Sequence, residues 1–163
     1  MMDRRNGGVD LEGVLVGPGE LAVVLDGSRL VSVVGAGVAV CLWAADRRVA
    51  AMAHFLEPRT HDADRSIARY GNVAVPEVVR LVREETPHGD IEAQLFGGAQ
   101  EYQGDVRGER NLELAEKVLA KRSISVSSRD VGGTKGRKIV FDGRTGHVAV
   151  MKVHKLRKED WLA

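Results

Sequence analysis

One thiol, one histidine at the end of an apolar run, and three glycine clusters are the residues here with chemical potential. Cys41 is the only cysteine. It excludes an internal disulfide and a thiolate zinc site within one chain, and it leaves one candidate sulfur nucleophile. An activated cysteine needs a helix N-terminus, a cation or a histidine beside it. The run Val38-Ala39-Val40-Cys41-Leu42-Trp43 supplies none of these, so Cys41 reads as a small buried hydrophobe. His54 closes Ala50-Ala51-Met52-Ala53. It is either a general base or a hydrogen-bonded residue at a strand end. Gly35-Ala36-Gly37, Gly97-Gly98 and Gly132-Gly133 each end a strand-like segment. Such ends can adopt positive φ and present N–H groups to an oxyanion, or simply turn. Gly132-Gly133-Thr134-Lys135-Gly136 lacks the spacing of a phosphate loop. His61, His88, His147 and His154 form no ligand spacing, so no metal and no cofactor are expected. Asn111, after Arg110, reads as a helix N-cap. Arg137 and Lys138 read as a solvated charged pair able to steer an acidic partner.

These groups must be positioned by strands at both ends of the chain and two helices between. Leu21–Leu25, Leu30–Val34, Val38–Trp43 and Arg48–His54 are short apolar runs, suited to strands buried on both faces. Val75, Val78, Val79 and Val82 follow a helical stripe, with Pro76 expected in the first turn. Leu112, Leu114, Ala115, Val118 and Leu119 form a second stripe, with Glu113 and Lys117 paired along it. Ser123–Ser128 alternates as a strand, and Asp142–Gly146 joins Lys138–Phe141 to His147–Val153 as a hairpin. Arg59–Arg69 reads as a polar, mobile loop.

The chain has 163 residues, and 24 basic against 23 acidic residues give a net charge of +1. That is one domain of ordinary globular composition with no compositional case for nucleic-acid binding. The polar start lacks a signal peptide's apolar core, and Val31–Ala45 is too short and too interrupted to span a bilayer. We expect a soluble, cytoplasmic protein with no membrane insertion. Residues 1–13 are expected to be a flexible N-terminus, 14–153 the folded domain and 154–163 a charged tail.

Seven segments in order resemble the CheD family, the chemoreceptor glutamine deamidases of bacterial chemotaxis. They are Gly17-Pro18-Gly19-Glu20, then Val38-Ala39-Val40-Cys41, then Ala51-Met52-Ala53-His54-Phe55-Leu56-Glu57-Pro58, then Arg69-Tyr70-Gly71-Asn72-Val73-Ala74. Phe96-Gly97-Gly98-Ala99, Gly108-Glu109-Arg110-Asn111 and Asp130–Lys138 complete the set. The resemblance implies an α+β fold of three layers, α/β/β, in which helices pack on one side of a β-sandwich. It also implies a reaction. A cysteine attacks a receptor glutamine amide, ammonia leaves, and water hydrolyses the thioester to glutamate. A histidine activates the thiol and a threonine hydroxyl assists.

The chain departs from that pattern. Where the family has Gly-Ser-Cys-Val-Ala-Val, this sequence reads Gly35-Ala36-Gly37-Val38-Ala39-Val40. The nucleophile position is therefore Gly37, the preceding serine is Ala36, and the threonine position falls on Val31. His54 keeps the base position. Cys41 sits four residues beyond Gly37, about 13 Å along a strand, too far to replace the lost thiol. Ser32 is one residue past the threonine position and should face the other way. Gly35, Ala36, Phe96, Gly97, Gly98, Gly132, Gly133 and Thr134 are the expected binding residues.

The economical reading is a pseudoenzyme that binds chemoreceptor helices or a CheC-type phosphatase without catalysis, through a shallow slot beside His54. One alternative is an active deamidase using rearranged Cys41 and His54. Another is a self-assembling scaffold using the tail, where Trp161 is a possible anchor.

Overall fold

The computed structural model describes residues 13–62 and 67–153. The alternation of apolar residues with period two decides which face of each strand meets which layer. In β4 (Val38–Ala44) and β5 (Val49–Phe55) every residue but Trp43 is buried, because both faces are covered. Val38, Val40, Leu42 and Ala44, with Val49, Ala51, Ala53 and Phe55, point into a core shared with the helices. Ala39, Cys41, Ala50 and Met52 point the other way, into a second core against Leu30, Val34, Ile139 and Phe141.

Those two faces make the protein a three-layer α+β sandwich. One sheet has five strands in the order β2-β5-β4-β6-β7, the other four in the order β1-β3-β8-β9. The remaining strands are β1 (Val14–Leu15), β2 (Glu20–Val24), β3 (Arg29–Val34), β6 (Glu92–Gly97), β7 (Ser125–Val131), β8 (Gly136–Asp142) and β9 (Val148–Val153). Helices α1 (Gly71–Glu85) and α2 (Arg107–Lys121) both pack on the five-stranded sheet. α2 forms the crossover between the parallel strands β6 and β7.

Both helical stripes face the core: Val75, Val78, Val79 and Val82 from α1, Leu114, Ala115 and Leu119 from α2. The expected hairpin is present, closed by Gly146 N–H to Asp142 O at 2.9 Å. Three local expectations are corrected. α1 begins at Gly71, tied down by the Glu57 and Pro58 carbonyls, so Pro76 lies inside it rather than in its first turn. The helix gives up one internal hydrogen bond there. β7 starts at Ser125, since Ser123 takes a positive φ of 57° at the end of α2. Asn111 does not cap α2: it lies inside the helix, whose N-cap is Val106, and the Asp105 carboxylate just before it accepts the Arg107 N–H at 3.1 Å.

Residues 63–66 of the Arg59–Arg69 segment lie outside the described residues, as does the charged tail 154–163 and all of the 1–13 segment but Gly13. No helix among the described residues is long and apolar enough to cross a membrane.

Candidate functional site

Strand pairing sets the position of His54 and of the β3–β4 loop beside it. His54 is the penultimate residue of β5, paired with Glu20 of β2 on one side and Ala39 of β4 on the other. That parity turns its imidazole into the space between the sheets, where it is 1% exposed. Above it the β3–β4 loop carries Gly35, Ala36 and Gly37. All three loop carbonyls are held from outside the loop. The Gly35 oxygen accepts Ala99 N–H at 3.0 Å and the Gly37 oxygen accepts Gly98 N–H at 2.8 Å. The Ala36 oxygen accepts the Asn111 amide at 3.0 Å.

The glycine clusters are linked by backbone hydrogen bonds, so much of their N–H capacity is used internally. Gly132 N–H bonds the Gly97 oxygen at 2.9 Å, and Gln100 N–H bonds the Gly133 oxygen at 2.7 Å. Gly97 and Gly98 adopt φ of 106° and 65°, values that favour glycine. Phe96 is buried in the core between the sheets rather than at the surface. Gly133 and Thr134 are exposed on the β7–β8 loop.

His54 has a defined protonation. Ser32 Oγ donates to the Val16 oxygen at 2.6 Å and lies 3.1 Å from His54 Nδ1. A hydroxyl has one proton; with that proton on the Val16 carbonyl, Ser32 accepts from Nδ1–H. The basic nitrogen is therefore Nε2. Burial pushes the imidazole pKa down to about 4, against the opposing pull of the Val16 carbonyl. The ring is neutral at neutral pH.

Nε2 faces Gly37. A Cβ built on Gly37 would lie 3.1 Å from Nε2. It would also lie 2.7 Å from the Phe55 carbonyl oxygen and 3.1 Å from a Leu56 methyl. The expected slot beside His54 is thus closed on that side by backbone, and Gly37 itself is buried.

Val31 does not share this space. Leu30 and Val34 belong to the core between the sheets, so Ser32, with the same parity, faces His54, and Val31 faces outward. The alternation expected of Val31 and Ser32 holds, but its phase is the reverse of what the threonine position implied. The available signal was polarity: Ser32 is the one hydroxyl in the run Leu30–Val34, and a buried hydroxyl requires a partner. Asn111 is the second residue the sequence reading misplaced. Fully buried on α2, its amide donates to the Ala36 oxygen and the Leu56 oxygen, each at 3.0 Å. It ties the loop to the strand end that carries His54.

Cys41 lies on the same face as His54 but pairs with Met52. That makes it a diagonal neighbour of His54, a separation of about 7–8 Å. It is 1% exposed, and burial pushes its thiol well above the ordinary range. Arg137 is not a solvated charge: its side chain is 3% exposed. It donates to the Gly132 and Lys135 oxygens at 2.7 and 2.8 Å and pairs with Asp130, holding the β7–β8 loop. No cluster of metal-ligating side chains occurs among the described residues. An open groove of about 430 Å³ lies at the opposite end of β4, between Trp43, Gln94, Ser127 and Gly146.

Comparison with known proteins agrees with this architecture. The family model for CheD chemotactic sensory transduction matches residues 56–152. The chain is 42% identical over 129 residues to the probable chemoreceptor glutamine deamidase CheD 1 of Anaeromyxobacter dehalogenans, covering 76% of this chain and 74% of that protein. It is 31% identical over 142 residues to the probable chemoreceptor glutamine deamidase CheD of Sulfurimonas denitrificans, covering 83% and 91%. A similar protein of Stenotrophomonas maltophilia is 33% identical over 140 residues, covering 83% and 71%. With the sandwich, the ordered motifs and these relatives together, the chain belongs to the CheD family of chemotaxis proteins.

Proposed function

We propose that this chain acts in chemotaxis as a binding protein, engaging chemoreceptor helices or a CheC-type phosphatase without deamidating glutamine. The observation that carries this reading is the pair Gly37 and His54. A neutral imidazole presents its basic Nε2 to the position a nucleophile would occupy, and that position has no side chain. General-base catalysis of acyl transfer needs a nucleophile within about 3 Å of the base. Cys41 does not supply it: it is a diagonal strand neighbour, sealed in the core, with its thiolate strongly disfavoured. The relatives are named for acting on chemoreceptors, and the surface that recognises a receptor need not include the reacting atom. The reading places the protein in the cytoplasm with no cofactor.

The test pairs two measurements on one sample. Calorimetry with a chemoreceptor cytoplasmic fragment, and separately with a CheC-type phosphatase, should detect binding to at least one. Mass spectrometry of the receptor fragment and an ammonia assay should detect no glutamine-to-glutamate conversion. Ammonia release that disappears in His54→Ala or Cys41→Ser would overturn the reading. So would the absence of binding to either partner.

A further inference from the structure

Arg137 is a cation buried at the start of β8, its side chain 3% exposed. A buried charge is costly unless its donors find acceptors. Its Nε and Nη2 donate to Asp130 Oδ1 at 3.4 and 3.2 Å, an ion pair that runs from the four-stranded sheet to the five-stranded one. Its Nη1 donates to the Gly132 and Lys135 oxygens at 2.7 and 2.8 Å. The planar guanidinium fixes these directions relative to one another, so the fork clamps both ends of the β7–β8 loop. Packing does not hold that loop. Gly132 and Gly133 adopt φ of 79° and 67°, and a Cβ built on either meets nothing within 4 Å among the described residues.

The clamped loop holds its neighbours in turn. Gly132 N–H bonds the Gly97 oxygen at 2.9 Å, and Gln100 N–H bonds the Gly133 oxygen at 2.7 Å. Between them, the Gly98 and Ala99 amides hold the Gly37 and Gly35 oxygens at 2.8 and 3.0 Å. The circuit then closes, because Val34, the residue before Gly35, pairs with Arg137 itself across β3 and β8. Every bond just named joins backbone groups, except those of the Arg137 side chain. Backbone groups are common to all sequences, so the arginine is where this sequence specifies the arrangement. A contiguous hydrogen-bond network of this kind can carry coupling between distant segments. We propose that Arg137 is the positioning residue of the binding face. It fixes the Gly132–Lys135 loop and, through Gly97–Gln100, the Gly35–Gly37 loop beside His54 Nε2. Its part in binding rests on the reading that these loops engage the partner.

Arg137→Lys keeps the charge but offers one nitrogen in place of a fork, so it can reach Asp130 or the two carbonyls, not all three. Native-state amide exchange should then accelerate about tenfold at Gly98, Ala99, Gln100 and Gly132, while the amides of β2 and α1 stay within about twofold. A purely structural role would instead raise all these rates together and lower the denaturant midpoint with them. Asp130→Asn leaves the arginine in place but loosens its anchor, and should raise the same four rates by less; it decides the matter should Arg137→Lys fail to fold. Unchanged exchange at Gly98 and Ala99 in the folded variants would overturn the proposal, and so would a rise matched in β2 and α1. Calorimetry with a chemoreceptor cytoplasmic fragment should show affinity lower by about tenfold in Arg137→Lys, the loss expected when charged hydrogen bonds that preorganise a site are removed. Faster loop exchange with full affinity would strike out the role in binding. A fragment that does not bind the unaltered protein would count against receptor binding itself, and the exchange rates would still decide whether Arg137 sets the loops.

Discussion

Ser32 reaches from the four-stranded sheet to His54 on the five-stranded sheet, its Oγ 3.1 Å from Nδ1 and its proton committed to the Val16 carbonyl. The pair is a buried polar contact between the two sheets. It sets which ring nitrogen is basic, and so which way the site faces.

From that contact the tautomer of His54 should be Nδ1–H, the minor form of free histidine. Nitrogen-15 spectra of the imidazole should show a protonated Nδ1 and an unprotonated Nε2. Ser32→Ala should mix the tautomers, and Ser32→Thr, which keeps the hydroxyl, should preserve the Nδ1–H form. An Nε2–H ring in the unaltered protein would contradict the assignment.

Stability should fall with acid in a window set by His54. The unfolded histidine takes a proton below about 6.5 and the folded one only below about 4. Between those values the unfolded chain binds more protons, so unfolding becomes easier as the pH drops. A shift of that size amounts to about 3 kcal/mol at full development. Urea midpoints measured from pH 7 to pH 4 should show the loss, and His54→Gln should flatten it.

Gly37→Ala should destabilise the protein by about 1–3 kcal/mol. Gly37 has no positive φ, so on backbone entropy alone alanine would stabilise by about 0.4–1 kcal/mol. The Phe55 oxygen, 2.7 Å from the added methyl, reverses the sign. A higher denaturant midpoint in the variant would show that the loop yields freely.

Asn111→Leu should cost about 3 kcal/mol, because it leaves the buried Ala36 carbonyl and the part-buried Leu56 carbonyl without their donor. Hydrogen exchange at the Gly98 and Ala99 amides, which hold the same loop, should accelerate with it. Unchanged exchange at those amides would mean that Asn111 packs against the loop without fixing it.

The layers of this fold were legible because they depend on periodicity. The unbroken apolar text of Val38–Trp43 and Arg48–His54 gave strands covered on both sides, and the stripe Val75–Val82 gave the helix that covers one of them. The site was legible only in part. His54 Nε2 and Gly37 face each other, a proximity set by the pairing of β5 with β4. The roles of Ser32, Asn111 and Arg137 were not readable, since each depends on a partner far away in the chain: Ser32 on His54, Asn111 on Ala36, Arg137 on a loop carbonyl at Gly132. Local sequence reports propensity, and by propensity Asn111 suits a cap and Arg137 suits water. Burial by other segments overrode both.

The loop from Gly35 to Gly37 is gripped only by its carbonyl oxygens in the contacts described above, and a carbonyl is common to all twenty amino acids. Its shape is therefore written elsewhere, in the amides of Gly98 and Ala99 and in the side chain of Asn111. An exchange at position 37 leaves these holds in place, although any side chain there must first displace the Phe55 carbonyl oxygen.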